Sequence, residues 1–407
     1  MKNSRILLIS NGHGEDLIGA RIAQSIIAAD SSISLTALPI VGIGSAYQSC
    51  AIPLLITGKN LPSGGFVRNG LKYWWMDLRA GLLSLTLRQI KALRQIAEKV
   101  DLIVCVGDVY VLLLGGILIG KPLIFLPTAK SDYIAPHWPI EIALMRHFAN
   151  QIFARDQLTA QSLSAHRVPA CFVGNVMMDC LESTGADFRE SINEWVIGIL
   201  PGGRFEAYKN MEDITEAIVA FENLISSRSA TPSRRFLTAL SGGLSFLALA
   251  ETLSARTWKQ RPATEDDQAR GIIGYLDFER ANCPLSIIIT QGRFPDVLKA
   301  ADVIVGMAGT ANEQAVGLGK PVLTFAGRGS QFTPKFVNIQ KRLLGEAIRV
   351  AERNPEIIAK ELLRLLTDKK FAASMVKERK ERMGEPGGTA RIVMEVLKML
   401  KKPNVLP

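Results

Sequence analysis

The chain is poor in the residues that build metal centres and disulfide frameworks. Its 407 residues include five cysteines (Cys50, Cys105, Cys171, Cys180 and Cys283) and four histidines, all scattered, with no Cys-x-x-Cys pair. That distribution argues against a structural zinc site or a disulfide scaffold and predicts a reduced compartment. Long apolar runs are missing too. The longest, residues 109–120, spans about 12 residues, where a bilayer crossing needs roughly 18, and it reads as a buried helix. The apolar run at residues 6–9 is too short for the core of a secretion signal, so the chain is expected in the cytoplasm. No solenoid-type repeat, low-complexity block or Asp-x-Asp carboxylate pair occurs.

What is present is a chain with 48% hydrophobic residues and a net charge of +10. At roughly 150 residues per domain, this length gives two or three domains with sizeable cores. Strand and helix patterns alternate along most of it, which favours parallel sheets covered on both faces. The positive charge invites an anionic partner: nucleic acid, nucleotide or anionic membrane.

Three strand-to-helix turns carry the chemistry. Residues 303–305 form a β-branched strand that meets Gly306, Gly309 and Thr310, and a helix follows to residues 317–319. Exposed amides and the positive dipole end of such a helix suit a phosphate. Residues 195–200 run into Pro201-Gly202-Gly203-Arg204, where glycines let amides approach an anion and an arginine can fork onto phosphate oxygens. Residues 5–10 run into Asn11-Gly12-His13-Gly14-Glu15-Asp16, followed by apolar residues at helical spacing. Residues 102–106 form a further strand, closed by Asp108.

The basic tail alternates Lys369, Lys370, Lys377, Arg379, Lys380 and Arg382 with Glu378 and Glu381, the pattern of a solvated helix face, so no nucleic-acid partner is expected. Residues 61–94 are different. Phe66, Tyr73, Trp74 and Trp75 stand among Arg68, Lys72, Arg79, Arg88, Lys91 and Arg94, opposed only by Asp77. Indoles beside cations suit a bilayer interface, and Gly64-Gly65 argues for a mobile loop; the alternative is a buried helix with Trp74 and Trp75 in the core. Phe66, Trp74, Trp75 and Arg79 are the candidate membrane and acceptor contacts.

With the three loops in order, and with Phe172-Val173-Gly174-Asn175-Val176-Met177-Met178-Asp179, the chain resembles the lipid-A-disaccharide synthase-related family of GT-B glycosyltransferases over nearly its whole length. The family's Asp-x-x-Gly-Ala is here Asp16-Leu17-Ile18-Gly19-Ala20. Its Pro-Gly-Ser-Arg turn is Pro201-Gly202-Gly203-Arg204, and its Gly-Thr-Ala helix start is Gly309-Thr310-Ala311. The resemblance implies an α/β GT-B fold with two Rossmann-like domains facing a cleft and a C-terminal helix returning toward the first. The expected bounds are 1–165, 166–375 and a helical tail, 376–407. It also implies inverting transfer, without metal or other cofactor, from a UDP-sugar to a lipid-borne sugar at the inner face of a membrane.

The first loop departs from the family's Gly-Glu-x-Ser-Gly-Asp by losing the serine and gaining a histidine. Seven places before the helix-ending Pro321, where GT-B enzymes usually carry the acid that holds the donor ribose, stands Gln314, with Glu313 beside it. Inverting transfer needs a base on the acceptor hydroxyl and a cradle for the leaving diphosphate. The cradle is expected from Gly202, Gly203, Arg204, Gly309, Thr310 and Ala311. The base is His13, oriented by Glu15 or Asp16, or Asp108; a helix-capping role for Asp108 and a turn role for His13 are the alternatives. Gly12 and Gly14 shape the first loop. Two other functions stay open: a UDP-sugar epimerase or hydrolase using Glu15 and Asp16, and a membrane-associated binding protein without activity.

Overall fold

The computed structural model describes residues 4–58, 81–226, 228, 231–279, 285–329 and 332–401. The chain divides into two compact units, Met1–Cys180 with Gly384–Pro407, and Leu181–Met383.

The first unit is built on a six-stranded parallel sheet of β1 (Arg5–Ser10), β2 (Ser34–Pro39), β3 (Leu102–Gly107), β4 (Leu123–Pro127), β5 (Gln151–Phe153) and β6 (Ala170–Cys171), in the order β2-β1-β3-β4-β5-β6. Its strands are apolar at successive positions because both faces are covered. Ile6, Leu8, Val104 and Val106 pack on the side of helices His13–Ala29 and Gly388–Lys401. Leu7, Ile9, Ile103 and Cys105 pack on the side of Leu82–Ile96, Val109–Leu118, Pro139–Phe148 and Gln157–Ala165. The strand order reverses between β1 and β3, which makes their carboxyl ends the switch point of this sheet.

The domain bounds expected from sequence shift. Residues 166–180 belong to the first unit, because β6 pairs with β5 and Val176 and Met177 enter its core. The boundary falls at 180/181, and residues 376–407 are not one tail. Met383 is buried within the second unit, while helix Gly388–Lys401 buries Ile392, Val393 and Val396 in the first. Asp179 fixes the start of that helix by accepting hydrogen bonds from the Gly387 and Thr389 amides and the Thr389 hydroxyl, at 2.6, 2.7 and 2.7 Å.

The second unit carries an eight-stranded sheet of β7 (Glu194–Leu200), β8 (Ser233–Leu240), β9 (Trp258–Pro262), β10 (Ile272–Phe278), β11 (Leu285–Gln291), β12 (Val303–Gly306), β13 (Val322–Thr324) and β14 (Ile348–Val350). The order is β14-β13-β12-β7-β8-β11-β10-β9, all strands running the same way except β10, which pairs antiparallel with both β11 and β9. Here the chain reverses between β7 and β12.

Two polar, charge-rich stretches contribute structure: residues 233–235 open β8, and residues 256–270 supply all of β9 and the short helix Glu265–Ala269. The start of β8 is polar because Arg234 and Arg235 pair with Glu222 and Glu194, and β9 is an edge strand that leaves Lys259 and Arg261 exposed. The tail segment after Asp368 is two short helices, Lys369–Met375 and Arg379–Met383. Among the described residues, no helix is long and apolar enough to cross a membrane.

Candidate functional site

In the first unit, the loops that follow β1, β3, β4 and β5 bring His13, Glu15, Asp108, Thr128 and Arg155 to the carboxyl edge of the sheet. The β1 and β3 loops touch through Asn11 and Gly107. Gly107 has φ +143°, and a Cβ there would lie 1.9 Å from the Asn11 amide oxygen, so only glycine fits. His13 opens helix His13–Ala29 and is exposed. Asp108 caps helix Val109–Leu118, accepting from the Tyr110 amide at 2.9 Å, and keeps partial exposure. The capping alternative therefore describes its hydrogen bond, without removing it from the edge. That helix is not wholly buried: Tyr110 and Ile117 face outward.

Neither carboxylate expected to orient His13 does so. Asp16 turns into the core, 1% exposed, and accepts from the Ser10 hydroxyl at 2.6 Å; Ser10 in turn meets the Tyr47 hydroxyl at 2.8 Å. Burial pushes the Asp16 carboxyl up to about 7, against the Ser10 bond that lowers it. Gly19 belongs to the same arrangement, since a Cβ there would lie 2.0 Å from the Tyr47 oxygen. The Asp16-Leu17-Ile18-Gly19-Ala20 motif thus packs a buried tyrosine.

Glu15 folds back over Gly12 and accepts from Thr128 at 3.3 Å, while Arg155 donates to the Thr128 carbonyl at 3.0 Å. Burial raises the Glu15 pKa above the usual carboxylate value. Its own backbone amide, Thr128 and Arg155 oppose that rise, and the charge of Asp108 adds to it. Glu15 is thus held by Thr128 and not by His13.

In the second unit, the loops after β7, β12 and β13 converge at the β7/β12 switch point. Gly202 has φ +113° and a Cβ there would approach the Met307 carbonyl to 3.1 Å. The buried Asn210 holds this turn by donating to the Pro201 carbonyl at 2.8 Å, and the Met307 amide donates to Leu200 at 2.8 Å. Gly203 and Arg204 are exposed. Helix Thr310–Gly317 starts after Gly309 with no side-chain cap, and the amides of residues 308–311 have no acceptor among the described residues. Glu313 is partly exposed, whereas Gln314 is 6% exposed and turned to the interior. The structure thus brings Gly202, Gly203, Gly309, Thr310 and Ala311 to one sheet edge with Arg204 next to them. Phe66, Trp74, Trp75 and Arg79 lie outside the described residues.

No protein-family model matches the chain. It is similar to the lipid-A-disaccharide synthase of Trichlorobacter lovleyi, 27% identical over 263 residues, covering 58% of this chain and 58% of that protein. The match thus spans less than two-thirds of the relative's length. Among solved structures, the chain is similar to the calicheamicin glycosyltransferase CalG4, with TM-score 0.62 and 16% identity over 100% of both chains. MurG of Acinetobacter baumannii matches with TM-score 0.54 and 13% identity over 97% of this chain and 99% of that one. The UDP-GlcNAc 2-epimerase of Neisseria meningitidis, solved with UDP-GlcNAc bound, matches with TM-score 0.59 and 15% identity over 97% and 100%. The fold is therefore GT-B, with two Rossmann-like units, and 58% of the chain is similar in sequence to a lipid-A-disaccharide synthase.

Proposed function

We propose that this protein is an inverting glycosyltransferase that moves a sugar from a UDP-linked donor to a lipid-borne acceptor at an anionic membrane surface. The observation that carries the reading is the set of amides at residues 308–311, which lack acceptors among the described residues and lie at the switch point of the second sheet beside the Gly202-Gly203-Arg204 turn. Dinucleotide and nucleotide ligands bind at such points, where amides and a helix dipole meet phosphate.

In the reaction, a base takes the acceptor proton as its oxygen attacks the anomeric carbon. The bond from that carbon to the diphosphate breaks on the opposite face. The negative charge that builds on the leaving UDP is met by the amides and by Arg204. Glu15, Asp108 and His13 are the available bases.

The acceptor half is supported by helix Leu82–Ile96. It exposes Leu83 and Leu87, 65% and 66% accessible, beside Arg88, Lys91 and Arg94, and contains no acidic residue. The relationship to lipid-A-disaccharide synthase points to the same acceptor class, and a peripheral site on the cytoplasmic face of a membrane agrees with both.

The test is to incubate the purified chain with UDP-sugars, with and without a glycolipid acceptor in mixed micelles. Release of UDP that depends on the acceptor, with the sugar appearing on lipid, is the expected outcome. The charge of Asp108 acting on Glu15 favours a second reading, a UDP-sugar epimerase, because two neighbouring carboxyl groups can remove and return a proton. Acceptor-independent conversion of the donor to its epimer would establish that reading and overturn the first.

A further inference from the structure

The amides that define the donor site point outward because the carbonyls of the same loop are tied inward. The Gly306 carbonyl accepts from the Asn312 side-chain amide at 3.2 Å and from the Thr324 hydroxyl at 2.6 Å. The Ala308 and Gly309 carbonyls each accept one hydrogen of the Gln340 side-chain amide, both at 3.0 Å. Gln340 in turn accepts from Asn312 at 3.1 Å, which closes the network. Asn312, Thr324 and Gln340 are 0%, 0% and 2% exposed, so water does not compete for these bonds. The three residues come from three elements: the helix that follows the loop, β13, and helix Pro334–Leu344. A peptide plane has its N–H and C=O on opposite edges, so fixing the carbonyls of residues 308 and 309 on the core side leaves the amides of 309 and 310 directed outward, while the Gly306 ties from Asn312 and Thr324 and the Met307 amide's bond to Leu200 anchor the start of the loop.

We infer that Asn312, Thr324 and Gln340 are positioning residues that preorganise this loop, and with it the 309 and 310 amides, for a diphosphate, acting through the loop and not by touching the ligand. The inference rests on the donor reading proposed above. Preorganisation matters because each amide then meets an anion without loop reordering at the moment of binding. Gln340 carries most of the effect, since both of its amide hydrogens are committed to the loop and no water can replace them.

The test is calorimetric titration of the full chain with UDP and with uridine. Gln340→Met conserves volume and removes both donors. It should lower UDP affinity by about tenfold while uridine affinity stays within about twofold. Thr324→Val, an isosteric change with little risk to folding, should lower the UDP-to-uridine affinity ratio by about threefold. An unchanged ratio in both variants, alongside weakened UDP binding in Arg204→Ala, overturns the clamp and leaves the donor reading standing. If Gln340→Met does not fold, Thr324→Val decides alone, and an unchanged ratio there overturns the inference. A wild-type chain that binds UDP no better than uridine overturns both.

Discussion

Glu15, one of the proposed bases, lies at the carboxyl edge of the first sheet with a proton affinity raised mainly by burial and further by the charge of Asp108. A base works only when deprotonated, so turnover should fall as pH drops through that raised pKa, above the ordinary 4.5 of a glutamate. Glu15→Gln keeps the Thr128 contact and should lower kcat by about 10² with UDP affinity unchanged, as measured by acceptor-dependent UDP release. If His13→Ala or Asp108→Asn gives the larger loss and Glu15→Gln is neutral, the base is the other residue. Asp16 makes a separate prediction, on stability. Its carboxyl is held up to about 7 in the fold against 3.8 in a free chain, so the folded state binds the proton more tightly. Stability from this group is full below about pH 4, declines between pH 4 and 7, and is flat above. Asp16→Asn should flatten that window and add up to a few kcal/mol at pH 8, read from urea unfolding at pH 5 and pH 8.

Helix Leu82–Ile96 makes its prediction as an element. Leu85, Gln89, Ala92 and Leu93 face the core, Gln89 donating to the Ile40 carbonyl at 2.8 Å, so register is fixed and Leu83, Leu87, Arg88, Lys91 and Arg94 share the outward surface. The neighbouring helices add exposed Tyr110, Ile117, Trp138 and Ile140. Leu83→Ser with Leu87→Ser removes about 2 to 4 kcal/mol of buried apolar contact with lipid while leaving the inward face intact. Co-sedimentation with vesicles containing phosphatidylglycerol should fall at least tenfold, and binding by the wild type should fall with added salt. Binding that ignores lipid charge, or that survives the double substitution, removes this helix from the membrane surface. Strand and turn chemistry made most elements readable, because fully covered parallel strands are apolar at every position. The edge strand β9 was not, since exposed Lys259 and Arg261 imitate a loop. The switch-point glycines could be read from sequence, but the clamp of Asn312, Thr324 and Gln340 could not. Those three are ordinary polar residues spread over 28 positions, and their role exists only once the fold brings them together.

For the molecule as a whole, the chain leaves the first unit at 180 and returns to it at 384. Linear reading placed a helical tail at the end; the physical reason it is more than that is the set of apolar residues on its inner side. Ile392, Val393 and Val396 are 1%, 5% and 0% exposed, and Asp179 holds the helix start with its carboxylate. Burying three such side chains contributes about 5 to 9 kcal/mol, on the order of a whole domain's stability. The Phe172-to-Asp179 motif, which carried part of the family resemblance, is legible in this light as an anchor: Gly174, at φ +102°, admits the Glu385 carbonyl, and Asp179 holds the turn that follows. Truncation after Met383 should therefore unfold the first unit, although it removes no strand. Hydrogen exchange should show β1, β3 and β4 losing protection while β7, β8 and β12 keep theirs. The truncated chain should still bind UDP, because every residue of the proposed cradle lies in Leu181–Met383. Retained protection in β1 and β3 would show that the helix is dispensable, and loss of protection in β7 and β12 as well would show that the two units fold as one.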